Sequence, residues 1–106
     1  MHPIADRAEV AIDFPDKLYM GGFGRDSSFE ARAEDDGVLI RLSRGGEEKR
    51  VAEIHLHLFL FANILDDLAT SLTGREPIDE VHRQPLLNAA RNLAVALERS
   101  GDSSAG

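Results

Sequence analysis

The sequence predicts an α+β fold: an antiparallel three- to four-stranded meander sheet with two C-terminal helices packed on one face. Three observations carry this. Apolar residues alternate with polar ones through the middle of the chain, in runs separated by short glycine-containing turns. Short turns between consecutive strands force antiparallel neighbours, and a sheet with one apolar face needs a covering layer. Somewhere in His57 to Leu60 the apolar spacing changes from two to three or four and stays there, which is the period of a helix.

The elements follow in order. Val10, Ile12 and Phe14 alternate with Ala11 and Asp13, a pattern open to a short strand, while Ile4, Ala8 and Ala11 equally suit a helical turn and a half. Pro15-Asp16 ends either one. A first strand is expected over 17–23, where Leu18, Tyr19, Met20 and Phe23 favour extended structure and Gly21-Gly22 marks an irregularity. A second, over 28–34, alternates Phe29, Ala31 and Ala33 with Glu30, Arg32 and Glu34. Asp35-Asp36-Gly37 is a hairpin signal leading to a third strand over 38–43, with Val38, Ile40 and Leu42 inward. Arg44-Gly45-Gly46-Glu47 turns the chain into a fourth over 49–57, with Ala52, Ile54 and Leu56 inward. Helices are expected over 59–73, closed by Gly74, and over 85–99, where Pro85 suits a first turn. Leu42, Ile54, Leu56, Ile64, Leu65, Leu68, Leu93 and Leu97 are the expected core. Residues 1–100 form one expected domain, and 101–106 a disordered tail.

Composition narrows the function classes. At 106 residues, with 42% hydrophobic and 29% charged residues, the chain has room for one core. The net charge of −7 repels phosphate backbones and anionic lipid, so nucleic acid and membrane are disfavoured partners. The absence of cysteine excludes disulfides, thiolate metal sites and cysteine nucleophiles. Met-His-Pro-Ile-Ala-Asp-Arg shows no basic region leading into an apolar run, and the cytoplasm is the expected compartment.

One local pattern points to metal chemistry. His55 and His57, two apart on a strand, project from the same face, and Glu53 joins them as a possible third ligand. The plainer alternative is a pair of polar outer-face histidines beside Glu53 or Arg41. Asp66-Asp67 diverge on a helix and form no acid/base pair, and the Gly21-Gly22-Phe23-Gly24 segment lacks the spacing and lysine of a phosphate loop. No catalytic or cofactor motif is present, so the expectation is a protein that is not an enzyme and needs no cofactor.

A strand meander followed by a helix resembles, in topology over residues 17–73, the Whirly-like single-stranded-DNA-binding folds. That resemblance implies stacking and phosphate contact through Tyr19, Phe23, Arg32, Arg41 and Lys49. Residues 17–57 nevertheless hold seven Lys or Arg against eight Asp or Glu, without the basic surplus such a face needs. The leading expectation rests instead on Tyr19, Phe23, Leu39 and Phe59. These lean toward the solvent side of the expected sheet, and a contiguous apolar cluster there fits a small accessory or adaptor protein that binds another protein, itself or a different one, as a homodimer or within a complex.

Overall fold

A computed structural model of the chain describes the backbone of residues 1–105 and the side chains of residues 1–101. The protein is α+β: strands β1 (His2–Pro3), β2 (Ala8–Phe14), β3 (Lys17–Phe23), β4 (Ser27–Ala33), β5 (Gly37–Arg44) and β6 (Arg50–His57), then helices α1 (Leu58–Thr73) and α2 (Glu80–Ala105). The chain divides into two compact units, Met1–Leu68 and Ala69–Gly106.

In the first unit a four-stranded antiparallel sheet runs in the order β1-β4-β5-β6, and β2 with β3 forms a separate hairpin. The expected meander is therefore β4-β5-β6, and the strand over 17–23 is not its first member. It turns back through Pro15-Asp16 and pairs with β2 over all seven residues. The physical reason is local. Val10, Ile12 and Phe14 share one face with Tyr19, Gly21 and Phe23, so the two alternating patterns match without a long-range partner. The place beside β4 is taken by β1, which covers only Ser28 and Phe29.

Two glycines are required by geometry. Gly46 has φ of 90°, in the left-handed region that only glycine enters cheaply, and it makes the β5–β6 turn possible. Gly37 closes the β4–β5 turn, where the Glu34 amide donates to the Gly37 carbonyl at 2.8 Å. Its φ is not positive. Glycine is needed there because a Cβ would run into the Leu56 carbonyl oxygen, with the Leu56 carbonyl carbon 3.0 Å and His57 Cα 3.2 Å away. The Asp-Gly turn signal thus marks the right place for a different reason.

The register keeps the expected faces, and the apolar one is only partly buried. Val38, Ile40 and Leu42 share a face with Ala52, Ile54 and Leu56, as the alternation requires. On that face Ile54 and Phe29 are exposed, and Val38, Ile40 and Leu42 are half-buried. The buried hydrophobic side chains among the described residues are Leu39, 1% exposed, and Phe23, 3% exposed. Leu39 lies between Arg32 and His55 across the ladder. A chain of contacts runs beside it: Arg32 to Glu30 at 2.7 Å and Glu34 at 4.0 Å, then His55 to Glu34 at 3.1 Å and Glu53 at 3.6 Å. Long polar side chains cover an apolar neighbour when their heads are tied to one another. The expected core residues of the helical stripes are likewise not buried: Leu65 is half-buried, and Ile64, Leu68, Leu93 and Leu97 are exposed. The 3.6-residue period predicts which residues share a stripe, but not how deeply each is buried.

In the second unit, α2 begins at Glu80 and not at the expected 85, so Pro85 lies inside the helix and not in its first turn. Asp79 is the N-cap: its carbonyl accepts from the Arg83 amide at 2.8 Å, and its carboxylate meets His82 Nδ1 at 2.8 Å. The hydrogen bond from His82 holds the Asp79 carboxyl below the usual range, and Arg83 does the same for Glu80, its own guanidinium being raised in turn. Depressed carboxyl values stabilise the fold above the unfolded values and lose that contribution as pH falls through the folded ones. The contribution of the Glu80–Arg83 pair at the start of α2 is therefore expected to persist down to about pH 4 and to be lost below it, read as amide shifts of residues 80–83. Shifts unchanged down to about pH 2 would show that this pair does not support the helix start. The backbone of α2 continues to Ala105, and the side chains of the expected tail lie outside the described residues.

Candidate binding surface

The β2–β3 hairpin brings together side chains that the sequence leaves apart. Ile12 lies opposite Tyr19, and Phe14 packs edge-on against the Tyr19 ring with centroids 6.1 Å apart. This face has two ends. Phe23, opposite Ala8, is buried, whereas Ile12, Phe14 and Tyr19 are exposed, Tyr19 at 53%. Leu18 and Met20 on the opposite face are exposed as well. The base of the hairpin is tied down through Arg50, whose Nη1 donates to the Gly22 carbonyl at 3.3 Å, and Arg50 also pairs with Glu48 at 3.2 Å. The hairpin thus has an anchored base and an exposed apolar end.

The four residues expected to form a docking cluster separate. Tyr19 and Phe59 are exposed, Phe59 at 92%, the first turn of α1 following β6 without a connector. Phe23 and Leu39 are buried and belong to the interior of the first unit, which corrects the expectation that they face solvent. The error for Phe23 is one of pairing. For Leu39 it is the neglect of the Arg32, Glu34 and His55 side chains that cover it on the polar face. Sequence reasoning passed over Ile12, Phe14, Leu18 and Met20, although the alternation on both sides of Pro15-Asp16 signals this hairpin.

His55, His57 and Glu53 share a face of β6, as the strand period requires. His55 turns Nδ1 toward Glu34 and Nε2 toward Glu53, and His57 lies 3.9 Å from Asp36. Among the described residues no three His, Asp or Glu side chains converge to hold a metal ion. Of the residues named for nucleic-acid contact, Phe23 is unavailable for stacking and Arg32 is engaged by carboxylates. No helix among the described residues is long and apolar enough to cross a membrane.

No protein-family model, curated protein or solved structure matches the chain. The class that the fold defines is accordingly structural: an α+β protein with an exposed apolar hairpin and exposed apolar helical stripes.

Proposed function

We propose that this is a small acidic accessory or adaptor protein of the cytoplasm that works by binding protein, its own second copy or another chain, and not by catalysis. One observation carries the reading. Large apolar side chains are exposed on the hairpin, on the apolar face of the sheet and along both helices, while Phe23 and Leu39 are the buried hydrophobics among the described residues. Scattered exposed leucines are ordinary, but clusters such as Ile12, Phe14 and Tyr19 on one hairpin face mark a surface that binding covers. A hairpin and a helix turn present such anchors in the way aromatic residues serve protein interfaces.

The test is purification of the protein from its native cells, with sedimentation and mass analysis of what stays bound. The wild type is expected to retain a stoichiometric protein, self or other. Tyr19→Asp and Phe59→Asp should release it by about tenfold or more in affinity while leaving the circular dichroism unchanged. A strictly monomeric protein that retains nothing, or variants that bind as the wild type does, would sink the reading.

A further inference from the structure

We infer that the outer edge of β6 pairs antiparallel with the same edge of a second copy, joining two sheets into one about a two-fold axis at Ile54. The inference goes beyond the protein-binding reading, whose surface is the hairpin and Phe59: it names a second copy and the β6 edge, so Tyr19→Asp and Phe59→Asp should leave this dimer intact. β6 is the last strand of the sheet, and no strand lies on its outer side among the described residues. It pairs with β5 over all of 50–57 without a bulge, so its free edge is continuous. It contains no proline, and its charged residues are Arg50 at one end and Glu53 within the strand. The opposite edge of the sheet is partly occupied, since β1 lies on Ser28 and Phe29.

The register follows from geometry and charge. Opposite residues of an antiparallel pair project from the same face, so a two-fold axis normal to the sheet must pass through a residue position. An axis at Glu53 sets two carboxylates against each other. An axis at His55 sets that residue against its own copy and shortens the strand ladder to 53–57. An axis at Ile54 uses 51–57 and places Glu53 opposite His55 of the second copy, twice by symmetry. It also places Ile54 on Ile54 and Ala52 on Leu56, continuing the apolar face from one sheet into the next. Glu53 and His55 already lie 3.6 Å apart within one chain, so the pairing extends an existing polar row. Among these axes, that at Ile54 alone matches both faces. The net charge of −7 opposes self-association, and moderate salt screens it.

Sedimentation at micromolar concentration in moderate salt, with crosslinking, tests this. The wild type should be a dimer. His55→Glu should weaken it about tenfold or more, by setting like charges opposite at two places, and the exchange Glu53→His with His55→Glu should restore it. The exchange also separates a lost contact from a lost fold. The chain has no cysteine, so Ile54→Cys supplies a lone thiol that should crosslink to its own copy, whereas Val51→Cys, which lies opposite His57, should not. A dimer indifferent to these changes overturns the β6 pairing. A monomer that retains a different protein overturns the dimer and leaves the protein-binding reading standing, and a monomer that retains nothing overturns both.

Discussion

Leu39→Ala is expected to lower unfolding free energy by about 2–5 kcal/mol, the range for truncating a fully buried leucine. Leu39 is the largest side chain buried to below two percent exposure, and it lies on the central strand β5 with neighbours on both sides. The loss has two parts. Removed methyl groups forfeit their transfer from water, and the rigid ladder around them keeps a cavity that Arg32 and His55 cannot fill without giving up their carboxylate partners. Leu39→Asp should be worse, since it buries a carboxylate beside Glu30, Glu34 and Glu53. Urea unfolding at fixed protein concentration measures the first, so that any association enters both proteins alike. A cost below about 0.5 kcal/mol would return Leu39 to the surface and restore it as a docking residue.

Gly37→Ala is expected to cost about 1–3 kcal/mol through overpacking, and Gly37→Val more. The added Cβ meets backbone, the Leu56 carbonyl, and backbone cannot rotate away as a side chain can. Relief requires β5 and β6 to separate where Gly37 pairs with His57, loosening the last residues before α1. Gly45→Ala is the matched control: nothing lies within 4 Å of its Cβ position and its φ is ordinary, so it should change stability little. A loss at Gly37 no larger than at Gly45 would mean that the strands give way at the Leu56 carbonyl and that the close approach does not require glycine. That contrast is read from the same urea curves.

Much of the secondary structure was legible because its signals are local. The alternation of Phe29, Ala31 and Ala33, and of Val38, Ile40 and Leu42, depends only on the two-residue period of a strand. The change of period announced α1 somewhere in His57 to Leu60 without fixing its first residue, which is Leu58. The β2–β3 hairpin was half-legible: Val10, Ile12 and Phe14 suited a strand, but a short apolar run also suits a helical turn, and a matching partner was needed to decide. Of the four residues of the expected cluster, Tyr19 and Phe59 are exposed as expected, and the burial of Phe23 and Leu39 was not readable.

By itself the sequence determined which residues share a face or a stripe, where the chain turns, and that no thiol chemistry operates in this protein. Those properties follow from the geometry of one strand or one helix and from composition. Only the tertiary structure decided that β3 pairs with β2 instead of β4, that Leu39 is buried while Ile54 is not, and that both nitrogens of His55 face carboxylates. Each of these depends on which segments meet across many residues of intervening chain. A strand carries the same alternating pattern whichever neighbour it takes, so pattern alone does not choose between them.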